Sequence, residues 1–189
     1  MSRISMSGIS ELERALSEYR AEQPEEQGIA DRFLALLREG HLAFTRDRKA
    51  GHLTASGWVV DAPGHRILLV HHRKLDKWLQ PGGHADGDTD LLRVAQKEVL
   101  EETGLETEPL KGGGIFDLDI HPIPPRGELP GHYHFDVRFL LRAPEGAEPE
   151  GNDETHEARW VSLDELEAVT REISILRMRE KCRCCVPPW

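Results

Sequence analysis

An α/β fold preceded by a helical flank is predicted by three observations. Two stretches near the N-terminus repeat apolar residues with the period of a helix, short β-branched or apolar runs recur from about residue 52, and residues 132–142 (HYHFDVRFLLR) alternate apolar and polar side chains without a break. A period of 3.6 marks a helix and a period of 2 marks a strand. At 189 residues the chain is long enough for one domain with a sizeable core and too short for two full ones.

Taken in order, SELERALSEYR (10–20) places Leu12, Leu16 and Tyr19 on one helical face, and QGIADRFLALLRE (27–39) does the same with Ile29, Phe33, Leu36 and Leu37. Pro24 lies in the polar stretch between them, and Gly40 follows the second as a C-terminal cap. Residues 1–45 therefore read as a helical flank, whose apolar faces either cover the main domain or form a homodimer contact. The runs WVV (58–60) and ILLV (67–70) flank the turn-rich DAPGH and read as paired, buried strands. A helix is expected over about 90–103, with Asp88 or Thr89 as its N-cap, Leu91, Ala95 and Val99 on its apolar stripe, and Gly104 just past its end. In the strand at 132–142, Tyr133, Phe135, Val137, Phe139 and Leu141 point one way and His132, His134, Asp136 and Arg138 the other. ARWV adds a late strand, and Ser162 with Glu165 fits a capping box opening a last helix that runs to about 180. The main domain spans 46–181, leaving 182–189 as a cysteine-containing tail.

The segment KEVLEETGL (97–105) poses a physical problem. It brings Glu98, Glu101 and Glu102 together on a helix, where like charges three or four apart each cost roughly 0.2–0.5 kcal/mol. A hard divalent cation held by carboxylates, water and substrate phosphates compensates such a cluster. The preceding Gly82-Gly83 pair lets backbone approach the same place and offers a carbonyl ligand.

These residues resemble the Nudix box, G-x5-E-x7-R-E-U-x-E-E-x-G-U with U aliphatic. Gly83, Glu98, Val99, Glu101, Glu102, Gly104 and Leu105 stand at its spacings, while Thr89 replaces a Glu and Lys97 an Arg. HHRKLDKWLQPGG before the box and EARWVSLDEL after it extend the resemblance over about residues 50–180. The resemblance implies a Nudix fold, a mixed β-sheet sandwiched between α-helices, outside which the N-terminal helices fall. It also implies hydrolysis of a pyrophosphate linkage in a nucleoside diphosphate joined to another moiety, with Mg2+ or Mn2+ as cofactor. Carried over, Gly82 ligates through its carbonyl and Glu98, Glu101 and Glu102 through their carboxylates. Glu98, Glu101 or a late acid such as Glu154 or Glu157 serves as base, and Gly83, Thr89, Lys97 and Gly104 support the geometry. A Nudix-fold module that binds nucleotide without turnover is the alternative, because Thr89 and Lys97 lose a salt bridge and a guanidinium fork. An isopentenyl-diphosphate isomerase-like activity is disfavoured, since it would want a cysteine near the site.

Outside the box, His84 is read as a substrate contact or a turn histidine satisfied by backbone. His132, His134 and Asp136 share a strand face that binds a metal or a phosphate, with His121 joining them, or is simply solvated. At most one of His71 and His72 faces the site, and Trp78 either stacks on a base or packs in the core. Pro122 falls slightly later than the proline of ADP-ribose-specific members.

The 34 acidic against 24 basic residues, a formal charge of −10, argue against a nucleic-acid partner. No apolar run approaches a membrane span, and MSRISMSGIS lacks a signal-peptide core, so a soluble cytoplasmic protein is expected. Cys182, Cys184 and Cys185 crowd the last eight residues and are expected to be free thiols in a tail.

Overall fold

The computed structural model describes residues 6–73, 75–127, 129–152 and 155–185. Two strands form the middle of the fold. β1 (Gly51–Val60) runs parallel to β7 (His132–Arg142), in register from Gly51 opposite Tyr133 to Val60 opposite Arg142. The remaining pairings are antiparallel. β2 (Arg66–His72) and β4 (Gly82–His84) flank β1, β5 (Glu108–Pro109) and β6 (Ile115–Ile123) flank β7, and β3 (Lys77–Leu79) and β8 (Thr155–Ser162) pair with β2. The sheet is therefore mixed. β1 begins seven residues before the expected run at 58, because its first half alternates Leu53 and Ala55 with His52, Thr54 and Ser56 and shows no continuous apolar stretch.

Each face of the sheet has its own core. On the first, Leu53, Ala55 and Val59 of β1 and Phe135, Val137, Phe139 and Leu141 of β7 meet three helices, α1 (Met6–Glu22), α2 (Gln27–Leu37) and α3 (Leu91–Thr103). Leu16 and Phe33 are fully buried there. Burying such side chains contributes about 1.5–3 kcal/mol each. The flank therefore spends its apolar faces on this chain's own sheet.

On the second face Trp58, Val60, Ile67, Leu69 and Leu140 pack against α4 (Leu166–Val169) and α5 (Ile173–Cys185). The single last helix expected from Ser162 is thus two. Ser162 ends β8 in a turn, accepting the amide of Asp164, and no side chain caps α4. Thr170 is extended, and its hydroxyl accepts the amide of Glu172 just before α5 begins. β-Branched residues and local Thr caps favour such a break. α5 also corrects the cysteine tail: the helix continues to Cys185, and Cys182 is fully buried in the second core beside Met178 and Ile175.

α3 ends as expected, with Gly104 left-handed at φ 71°. Its start differs. Asp90, rather than Asp88 or Thr89, is the N-cap and accepts the amide of Arg93 at 3.1 Å, while Asp88 accepts the amide of Asp90 and pairs with Arg93. Thr89 instead packs under α1, where a Cβ on Gly8 would stand 2.8 Å from Thr89 Cβ. Among the described residues no helix is long and apolar enough to cross a membrane.

Candidate functional site

β4 brings two surfaces together because neighbouring strand residues point to opposite sides. Gly83 faces α3. A Cβ on Gly83 would lie 2.5 Å from the carboxyl carbon of Glu98, so only glycine lets that carboxylate rest against the strand. Gly82 is confined by β1, since its Cβ would meet Ala55 O at 2.7 Å.

The three glutamates of α3 do not share one environment. Glu102 is buried at 7 % exposure, the Glu98 side chain is 18 % exposed, and that of Glu101 is 54 % exposed. At 3.6 residues per turn, Glu98 and Glu102 lie nearly above one another, while Glu101 is rotated toward solvent. The expectation of one common carboxylate face is corrected accordingly. Lys97 answers part of the repulsion, with its ammonium 3.0 Å from Glu101 and 3.6 Å from Glu98. Asn152 donates to the carbonyl of Glu101 at 2.8 Å, tying the loop before β8 to the helix. Glu154 lies outside the described residues, and Glu157 on β8 is exposed, 3.8 Å from Arg159. Arg46 forms a two-pronged pair with Asp86 at 2.6 Å and lies close enough to Glu98 to feel its charge.

A hard divalent cation fits this donor set. Glu98 and Glu102 are a turn apart at the buried side of α3, carboxylate oxygen is the chemistry such ions prefer, and the missing Gly83 side chain leaves the space.

His84 faces the other way, into a group of five imidazoles. Its ring lies 4.8 Å from His134 and 5.2 Å from His52. His132 lies 5.2 Å from both His52 and His134, and His121 lies 5.5 Å from His134. His84 is a strand residue in this group and not a turn histidine. Burial, then the positive charge of Arg46 and the cost of charging His84 beside His52, hold the His84 pKa down to about 4. Burial and the neighbouring histidines push His134 lower still, to about 2, and His52 falls chiefly through burial. The inner rings are therefore neutral at pH 7. His52 escaped sequence analysis. The alternation of His52, Thr54 and Ser56 against Leu53 and Ala55 was the signal that could have found it.

Asp136 does not join the histidines. It is 4 % exposed and accepts hydrogen bonds from Thr54 (3.0 Å), Ser56 (2.8 Å), Gln80 (3.3 Å) and Arg138 (2.8 Å), so its oxygens are consumed inside the sheet. The solvated strand face is likewise corrected here: Arg138 is 2 % exposed and pairs with Asp117, Asp119 and Asp136. Trp78 is already engaged, stacked on His71 at 5.0 Å and with the Arg159 guanidinium 4.3 Å from its ring centre. His71 also pairs with Asp76. A surface cleft of 540 Å³ lies elsewhere, between α1, β6 and α5, and is lined by none of the glutamates or histidines just described.

Residues 51–178 match the family model of the NUDIX domain. Among curated relatives, the chain is 28 % identical over 102 residues to YjhB of Bacillus subtilis (strain 168), provisionally named an ADP-ribose pyrophosphatase, covering 54 % of this chain and 47 % of that protein. It is 30 % identical over 90 residues to the m7GpppN-mRNA hydrolase NUDT17 of Xenopus laevis, covering 44 % of this chain and 30 % of that one. The match thus spans less than half the length of these relatives. Among solved structures, the MutT protein from Methanosarcina mazei Go1 superposes with a TM-score of 0.55 at 20 % identity, over 71 % of this chain and 94 % of the other. A NUDIX-family hydrolase from Clostridium perfringens gives 0.53 at 23 %, over 71 % and 98 %. With a family match over two thirds of its length, and with the glycine, glutamate and capping positions of the box in place around α3, the chain belongs to the NUDIX family.

Proposed function

We propose that this chain is a divalent-cation-dependent hydrolase that cleaves the pyrophosphate linkage of a nucleoside diphosphate joined to another moiety. The observation that carries the reading is the Glu98 carboxylate seated against side-chain-free Gly83, one helical turn from buried Glu102. Glu98, Glu102 and the carbonyl of Gly82 are the groups that would hold Mg2+ or Mn2+. Such an ion neutralises charge on the diphosphate and acidifies water. Glu101, at the solvent edge and paired with Lys97, would take the proton of the attacking water. Arg46, beside Glu98, supplies positive charge toward the phosphates. The relatives named for ADP-ribose and capped mRNA favour a substrate of the nucleoside-diphosphate-linked class.

The test is product release from ADP-ribose, dinucleotides, nucleotide sugars and nucleoside triphosphates, with and without Mg2+ or Mn2+. Release should require metal and fall about 10³-fold in Glu98→Gln, Glu102→Gln, in line with the several kcal/mol a bound cation contributes. Nucleotide binding without release from any substrate would replace this reading with that of a binding module. Lys97, whose pairing with Glu98 and Glu101 stands where the box has arginine, is the specific feature favouring that outcome.

A further inference from the structure

We propose that His52, His132 and His134 form a second metal site, selective for a divalent first-row transition ion such as Zn2+ or Co2+ and separate from the glutamates of α3. One ring nitrogen from each of the three lies within 4.8 Å of the others. His52 is 4 % exposed, and its Nε2, like that of His134, is buried without a hydrogen-bond partner. Leaving such buried nitrogens unsatisfied is costly, and a shared cation removes that penalty.

The second nitrogens are already oriented. His132 Nδ1 faces the carbonyl of Pro130 at 3.1 Å and His52 Nδ1 faces that of Arg48 at 3.5 Å, so each ring donates through Nδ1 and keeps its Nε2 lone pair for a ligand. This is the outer support that metal-binding histidines use. His84, with its ring 5.2 Å from His52 and 4.8 Å from His134, stands ready as a fourth ligand.

The donor set also decides which ion. Mg2+ needs hard oxygen. The carboxylates on this face are engaged elsewhere: Asp136 by four donors, and Asp119 by Arg138, Arg177 and His121. Imidazoles alone suit Zn2+, Co2+, Ni2+ or Cu2+. Tetrahedral coordination at Zn–N distances of 2.0–2.1 Å requires nitrogens roughly 3.3 Å apart, a contraction that small ring rotations supply. The unpartnered Nε2 atoms of His52 and His134, the former left as a lone pair by a ring that donates through Nδ1, suit a cation, whereas a phosphate would need donors there.

The experiment is a Co2+ titration of the tag-free full chain in excess Mg2+, carried in a Cys184→Ser, Cys185→Ser background so that C-terminal thiols do not bind. Visible absorption reports nitrogen coordination, and Zn2+ displaces the signal. One equivalent should bind, affinity should fall about 100-fold or more in His134→Ala and in His132→Ala, and Glu98→Gln, Glu102→Gln should keep the signal. No stoichiometric binding, binding unchanged in both histidine variants, or loss in the glutamate variant would each overturn the proposal. If His134→Ala does not fold, His132→Ala decides alone, because that side chain is only partly buried at the strand's first residue. Retention of the signal in the glutamate variant also keeps this result distinct from the fate of the hydrolase reading.

Discussion

At Asp117 and Arg138 the polar face of the sheet is closed. Asp117 has no exposure and holds Arg138 at 3.2 Å, Arg177 at 2.7 Å and Lys181 at 2.6 Å, while Lys181 reaches on to Glu26 and Tyr19 from the N-terminal flank. Four residues back along β7 from Arg138, at His134, and at His52 opposite it on β1, the Nε2 atoms are buried and have no hydrogen-bond partner. One half matches every charge with an opposite one and ties α1, the sheet and α5 together. The other gathers five imidazoles and leaves Nε2 of His52 and of His134 without a hydrogen-bond partner. Satisfied networks rigidify a structure, and unsatisfied buried groups call for a ligand.

The contrast is broken most severely from the closed half. Arg138→Met leaves Asp117, Asp119 and Asp136 without their shared cation, and should destabilise the fold by about 3–5 kcal/mol in urea unfolding. Thr89→Glu, which restores the residue of the box, should instead weaken it. The longer side chain must push α1 away at Gly8, an overpacking cost of about 1–3 kcal/mol measurable by the same method. If Thr89→Glu proves neutral, the packing of α1 over this position is not what excludes glutamate.

Acid destabilises both halves and separates them by pH: His84 and His134, held below 6.5, lose stability as pH falls from about 6.5, and the carboxyl half does so only below 3.8. Burial opposes ionisation of Asp119, but the hydrogen bond from His121 and the charges of Arg138 and Arg177 more than offset it and hold the carboxyl below its ordinary 3.8. A depressed carboxyl contributes stability that is complete above 3.8 and is lost as pH falls toward the folded-state value. Unfolding midpoints should therefore decline below about pH 4, by up to roughly 1.4 kcal/mol per pH unit for this group, and the decline should be shallower in Asp119→Asn. The smallest effect is expected from the open half. His132→Ala should change stability by less than about 0.5 kcal/mol in metal-free protein, since no satisfied network is broken there. A large loss would mean that the histidine group is structural, like its neighbour.

Much of the fold was legible in sequence because its signals are local. The alternation at 132–142 produced β7, the stripe of Leu91, Ala95 and Val99 produced α3, and Gly104 closed it. Where cues were weak or misleading, the reading failed for identifiable reasons. Polar alternation hid the first half of β1, and a short extended step at Thr170 divided the last helix. The box located Glu98, Glu101 and Glu102, but helical rotation and Lys97 decided that only the first and last turn inward.

By itself, then, the sequence determined the resemblance to the family and the carboxylate helix, since each is encoded in spacing along a few dozen neighbouring residues, and the mixed sheet was legible only as what that resemblance implies. Only the tertiary structure decided what the polar faces of the strands are for. β1, β4, β6 and β7 are separated in the chain by up to about eighty residues, and their registry alone brings His52 to His134 and Asp117 to Arg138. Whether a polar residue is spent in a pair or left open depends on what the neighbouring strand places opposite it, and no periodicity within one strand carries that information.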